Sequence, residues 1–310
     1  MNKTISTLIA IFISQNSFAL VDYSQIEGSS PAPSTPNVKR SAPPIVKRNA
    51  PAAASSSRSA NNGPTSFELL TSYEQQKVAG QTTSGELNKL SLMAHFQTQY
   101  NLYLDVNYWA ASNELSTNKQ EGAYEKGNPK VILGFNWLRF GAVQEMATVD
   151  IYGGASFGGD EAVATTRTDK IVGVETSKRF YNFAIAIAYD YNLTGSPDSS
   201  KELTIGNIST LKTSLGWVVS GDISFVVEGG MVTVDNALNS ESAYKLKEDV
   251  QFSYIKPSVQ LGISPLVSLE MGGVFRSRRA KDVDTLVDAK LWDTPGAYGN
   301  SLFAGLKFSM

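Results

Sequence analysis

Cysteine is absent from the 310 residues. That removes disulfides, thiolate metal sites, cysteine nucleophiles and a lipid anchor on an N-terminal cysteine. Histidine occurs once, as His95, which removes most histidine-based metal and acid–base constellations. No metal and no cofactor is expected. Surplus charge is lacking too: 27 Lys and Arg stand against 29 Asp and Glu, a net charge of −2, so no general affinity for nucleic acid is expected. No run approaches the ~18 consecutive apolar residues of a helical membrane span. Phosphate-cradling motifs are missing as well. The Gly-Gly pairs at 153–154, 229–230 and 272–273 sit inside strand-like segments, where glycine eases curvature and close packing.

What is present begins with "MNKTISTLIAIFISQNSFA". Lys3, an apolar stretch from Leu8 to Ile13 and the small-residue ending Ser17-Phe18-Ala19 have the order of a secretory signal. Residues 1–19 are therefore expected to be a leader cleaved after Ala19, with a buried N-terminal helix as the alternative. Residues 20–64 are rich in Pro, Ala, Ser and Asn. Too little apolar surface is available there to offset ordering entropy, so a disordered, extended periplasmic tail is expected. The tail repeats itself, with "VKRSAP" at 38–43 and "VKRNAP" at 46–51. Lys39, Arg40, Lys47 and Arg48 either keep a spacer extended or form a basic docking tether.

From about residue 65 the pattern changes to alternation. "KLSLMAHF" (89–96) sets Leu90, Leu92, Ala94 and Phe96 against Lys89, Ser91, Met93 and His95. "NFAIAIAYDYNL" (182–193) sets Phe183, Ile185, Ile187, Tyr189 and Tyr191 against three alanines and Asp190. The same period of two recurs in nine further segments up to residue 308. A period of two marks strands with one apolar and one polar face. Parity reverses within "VQFSYIKPSVQLGI" (250–263), which predicts a β-bulge near Lys256-Pro257. A short loop helix is expected at 283–291.

The connections between these segments alternate, short ones with long polar ones. All tight turns then lie at one end and all long loops at the other, as in a transmembrane barrel with short periplasmic turns. An even strand number requires one more strand ahead of residue 89. "SFELLTSYEQQKVAG" (66–80) supplies it with Phe67, Leu69, Thr71 and Tyr73 outward, unless Ser66 caps a helix that Gly80 ends. The fold class is therefore all-β: a transmembrane antiparallel up-and-down barrel of about twelve strands over 65–310, following a leader (1–19) and a Pro-rich tail (20–64).

Over about 66–310, and in its leader, the chain resembles bacterial outer-membrane β-barrel proteins of the porin-like kind. The end of the chain, "LFAGLKFSM", carries this most specifically. The resemblance implies that Leu302, Ala304, Leu306 and Phe308 form the strand read by the barrel-assembly machinery, which Ser309 and Met310 overrun by two residues. It implies a location in the bacterial cell outer membrane, with lipid and lipopolysaccharide as surroundings and the tail in the periplasm. Catalytic members use a Ser–His pair facing lipid, or His and Asp near the outer rim. Here His95 falls on the lumen face near the periplasmic end, so no catalytic residue and no enzymatic activity is expected.

By parity the inward charges are Lys89, Asp105, Asp150, Glu175, Asp190, Lys212, Glu228, Glu270, Arg276 and Lys307. Acids lead modestly. A pore lined by these residues would be a passive channel for small hydrophilic solutes, mildly preferring cations. Cross-lumen ion pairs would instead close it. The barrel would then be a structural anchor of an envelope-spanning complex, docked through its tail to peptidoglycan or to a periplasmic protein. The basic cluster "RSRRAK" (276–281) lies on the last long loop, where it folds back over the acidic wall, meets lipopolysaccharide phosphates or stays solvated.

Overall fold

The computed structural model describes residues 65–80, 83–115, 118–119, 124–141, 145–199, 202–281 and 283–310. The expected leader and tail, with Lys39, Arg40, Lys47 and Arg48, lie outside the described residues. Twelve long strands follow one another. They are β1 (Ser66–Ala79), β2 (Ser84–Gln97), β3 (Leu102–Leu115), β4 (Lys130–Phe140), β5 (Ala147–Ser156) and β6 (Asp169–Phe180), then β7 (Phe183–Leu193), β8 (Ile208–Ser220), β9 (Ile223–Val234), β10 (Val250–Ser264), β11 (Val267–Arg278) and β12 (Ser301–Ser309). Each pairs antiparallel with the next, and β12 returns to β1 in a register running from Glu68↔Ser309 to Gln76↔Ser301. Closure leaves no unpaired edge, which is what allows a sheet to sit in lipid. Among the described residues no helix is long and apolar enough to cross a membrane.

Alternation sets the two faces. On β7, Ile187 is 47% exposed on the outside while Ala188 is 1% exposed on the inside. The segment 66–80 is strand, not helix, over Ser66–Ala79. It buries Leu70, Ser72, Glu74 and Gln76 inward and supplies hydrogen bonds to both β2 and β12. Two waiting strand edges outweigh any local capping signal at Ser66.

The short turns span 98–101, 141–146, 181–182, 221–222 and 265–266 at one rim. The opposite rim carries long links at 116–129, 157–168, 194–207, 235–249 and 279–300, but its first link, 80–83, is short. The expected strict alternation of short and long therefore fails at that first hairpin.

No bulge falls at Lys256-Pro257 itself; the β10–β11 register shifts nearby, between Ser253↔Arg278 and Tyr254↔Arg276, and again between Gly262 and Ser264. The β9–β10 register passes unbroken through Glu228↔Lys256 and Val227↔Pro257. Parity never reverses: Val250, Phe252, Tyr254 and Lys256 all point inward and are buried. The apolar residues of that run fill the lumen instead of facing lipid. Register shifts occur elsewhere, at Asn136/Leu138 in β4 and at Val218/Ser220 in β8. At the first of these, Trp137 and Leu138 both end up exposed on the lipid side.

The largest apolar core lies inside the barrel, at the long-loop rim. The last link, 279–300, turns inward as a plug that includes the short helix α1 (Val283–Val287). Leu286, Leu291, Trp292 and Tyr298 of the plug are almost fully buried. They pack in one cluster with Leu87, Trp109, Val232, Phe252 and Phe303 of the wall and Val163, Leu203 and Leu246 of other long links. Trp292 and Tyr298 meet with ring centroids 4.2 Å apart, and the Tyr298 hydroxyl donates to the Leu286 carbonyl at 2.7 Å. Gly296 turns the plug with φ 77°, and a Cβ there would lie 2.8 Å from Tyr254 Cβ. Only glycine combines that backbone with that approach.

Candidate functional site: a polar lumenal chamber

Beneath the plug the lumen opens into a polar chamber enclosing about 1340 Å³, counting its mouth. It runs from Gln97, Tyr103 and Asn136, near the short-turn rim, to Asp293, Thr294 and Pro295 on the underside of the plug. The strands place its groups by parity. Every lining residue of β7, for example, lies on the face opposite Ile185 and Ile187.

Of the ten charges read as inward, Asp105, Asp150, Glu175, Asp190, Lys212 and Glu228 line this chamber. Lys89, Glu270, Arg276 and Lys307 also point inward but do not line it. Lys89 is buried between Glu74, at 2.8 Å, and the Trp292 carbonyl, at 3.4 Å, so it ties the wall to the plug. Lys307 pairs with Glu68 at 2.8 Å. Glu270 bonds to Ser258, and Arg276 lies against Gly296 of the plug. Lys89, Glu270 and Lys307 are structural ties at other levels of the lumen, whereas Arg276 keeps Nε and Nη1 buried without a partner among the described residues. Leu302 is exposed on the outer face of β12; Leu306 and Phe308 share that face by parity and are partly buried. In the basic cluster, Arg278, Arg279 and Lys281 are exposed, and Arg278 Nη1 donates to Gln251 Oε1 at 2.8 Å.

Most chamber charges are matched. His95 Nδ1 and Asp105 Oδ1 are 2.5 Å apart. Asp190 pairs with Lys212 and accepts from the Tyr152 hydroxyl. Glu228 accepts from the Tyr254 hydroxyl at 2.6 Å, and Asp150 from Asn136 Nδ2 at 2.5 Å. Glu175 is different: among the described residues it makes no hydrogen bond or ion pair, and its cross-strand neighbours are Asp150 and Ala188. It faces the chamber as an open carboxylate.

The sequence reading missed the aromatic part of the wall. Tyr103, Tyr152 and Tyr254 each lie over a directly cross-strand glycine, respectively Gly134, Gly173 and Gly230. A Cβ at those glycines would come within 1.9, 2.4 and 2.3 Å of the tyrosine rings. The rings therefore lie flat on the wall rather than across the lumen. An inward glycine opposite an inward tyrosine was the available signal, legible only once register was known. Lys130 and Lys256, which also line the chamber, were missed because they stand at a strand start and in the misread run.

Electrostatics outside the strands centre on the plug. Arg167 is buried between Asp169, at 3.1 Å, and Glu202, at 3.3 Å. Its Nη1 also donates to the Ala289 carbonyl at 3.1 Å. Lys290 donates to the Glu161 carbonyl, and its ammonium is held below the ordinary lysine value by burial, against the opposing pull of Glu202, Glu161 and Asp288.

No family model matches the chain, and no curated protein matches it in sequence. Solved structures match its fold. An outer membrane channel from Pseudomonas putida F1 aligns over 80% of this chain and 96% of its own, with a TM-score of 0.58 at 10% identity. The NanC porin covers 77% and 98%, with a TM-score of 0.48 at 11% identity. Outer membrane phospholipase A from Escherichia coli covers 80% and 93%, with a TM-score of 0.43 at 13% identity. The chain thus has the closed barrel fold of solved bacterial outer-membrane proteins. The expectation that it is not an enzyme is corrected here. One barrel fold hosts unrelated functions, so the architecture gives no ground for excluding catalysis.

Proposed function

We propose that the chain is an outer-membrane channel for small hydrophilic solutes, mildly preferring cations. The observation that carries this is the chamber lined by charged and polar groups, with the Glu175 carboxyl open to it. Six lining acids (Asp105, Asp150, Glu175, Asp190, Glu228 and Asp293) face three lining lysines (Lys130, Lys212 and Lys256) and His95. Low-dielectric walls weaken screening, so a small excess of acid biases which ions enter. The test is planar-bilayer conductance of the purified protein in a salt gradient. The expected result is a reversal potential on the cation side that moves toward zero in Glu175→Gln. A conducting pore indifferent to that change would overturn the charge argument.

A second reading is favoured by the plug. An apolar core across one end suits a barrel that anchors rather than conducts, with residues 20–64 docking to peptidoglycan or a periplasmic protein. Absence of conductance, together with cross-linking that is lost when Lys39, Arg40, Lys47 and Arg48 become Gln, would favour the anchor.

A further inference from the structure

A second polar cavity, about 400 Å³ counting the space open to solvent, flanks the plug. It borders the chamber through shared residues: Lys130, Ile171, Asn192, Asp293 and Thr294 line both. From there it continues along one side of the wall, past Ser156 and Asp169, to Lys290 on the plug. On this side the plug meets polar groups. Toward β1 to β3 and β9 to β11 it meets the apolar cluster of Leu87, Trp109, Val232 and Phe252.

We infer that solutes pass the plug through this eccentric passage, between plug residues 290–294 and the wall from β4 to β8, while the plug stays docked. The inference rests on the channel reading and deepens it by locating the constriction. Three observations carry it. The two cavities share Lys130, Ile171, Asn192, Asp293 and Thr294 as lining, so only side chains common to both stand between them. The passage wall is mostly polar, so a hydrated solute keeps hydrogen-bond partners as it sheds water. The plug itself is held on several sides. The Leu203 amide donates to the Asp288 carbonyl at 3.1 Å, the Thr83 amide to Asp284 Oδ1 at 2.8 Å, and the Lys77 amide to the Asn300 carbonyl at 2.9 Å. Displacing it would break these bonds and expose Leu286, Leu291 and Trp292 together, whereas the side route breaks none of them. Ser156 of the wall and Thr294 of the plug both line this cavity, and a solute taking this route passes between wall and plug there.

The chain has no cysteine, so single cysteines report without background. Ser156→Cys and Thr294→Cys would be compared with Gln76→Cys, which is buried in the wall of β1 and lines neither cavity. Each is treated with a bulky charged methanethiosulfonate during single-channel recording. The expected result is a loss of at least half the unitary current at positions 156 and 294 and none at 76. Steady current at 156 and 294 in an otherwise conducting pore would overturn the passage while leaving the channel reading intact. A silent unmodified protein would overturn both. A second variant, Leu203→Cys with Asp288→Cys, cross-links the plug to the 194–207 link. Unchanged conductance in its oxidised form supports a fixed plug with a side passage. Conductance lost on oxidation and restored by reductant would mean that the plug must move, and would overturn the inference even if position 156 is reactive.

Discussion

Tyr152 lies over Gly173, its direct cross-strand partner, with its hydroxyl on Asp190 of the next strand. One side chain thus covers the bare backbone of a neighbour and orients a chamber carboxylate two strands away. The arrangement works only while position 173 has no Cβ. Gly173→Ala should push the ring into the lumen, at a cost of about 1–3 kcal/mol from overpacking. Tyr152→Phe keeps the cover and loses only the hydrogen bond. Heat-modifiable gel mobility of the folded barrel should fall in the first and change little in the second. The reverse order would mean that the hydroxyl, not the cover, matters.

The plug core makes a quantitative prediction. Leu286 is fully buried and Trp292 nearly so, so Leu286→Ala should cost about 2–5 kcal/mol and Trp292→Ala about 3–5 kcal/mol of docking. Both should expose Tyr298, fully buried in the same cluster, to chymotrypsin and raise conductance. Protection equal to that of the unaltered protein would show that the plug is held by its polar ties alone.

Among those ties, Arg167 and Glu202 are buried together. Arg167→Met strands both Asp169 and Glu202 and should destabilise the folded barrel by about 3–5 kcal/mol; Glu202→Gln leaves Arg167 on Asp169 and should cost less, and the double change should cost less than the sum of the two. Denaturation followed by intrinsic tryptophan fluorescence measures the coupling. Simple additivity of the two single changes would deny it.

Lys290 gives the plug a pH dependence. Its folded value lies below that of an exposed lysine, about 10.4, because burial penalises the ammonium. An ammonium with a depressed folded value costs stability at all pH below that value. The cost fades as pH rises through the folded value toward that of the unfolded chain. Plug docking should therefore tighten over that alkaline window in the unaltered protein relative to Lys290→Met, in which the slope is absent. Trypsin protection measured against pH for the pair isolates this group from the other titrating lysines.

Lipid exposure is tested at β5 and β7. Ile151 and Ile187 are both exposed on the outer face. An arginine at either should cost roughly 2–4 kcal/mol if it lies near the bilayer midplane. The same change at Thr210, which lines the chamber, should be much milder. Equal losses on both faces, read from the folded fraction on gels, would sink the assignment of faces.

The sequence by itself determined the barrel. Alternation at a period of two is a local property, readable from Phe183 to Tyr191 without any partner. The phase of short turns then set strand direction, and an even count demanded a strand at 66–80. Parity also told which charges point inward. It did not tell at what level they sit or what they meet. Lys89 and Asp105 read alike in the sequence, yet one is locked between Glu74 and the plug and the other lines open space. Run 250–254 misled for a related reason. An apolar residue on a barrel strand reads as lipid-facing, because hydrophobicity carries a sign but no direction. Phe252 is apolar because the 279–300 link folds inward against it. Which link enters the lumen, and therefore where the chamber lies and on which side the plug leaves a polar gap, depends on contacts between residues as far apart as Lys89 and Trp292. No local periodicity records such contacts, and only closure of the sheet brings them together.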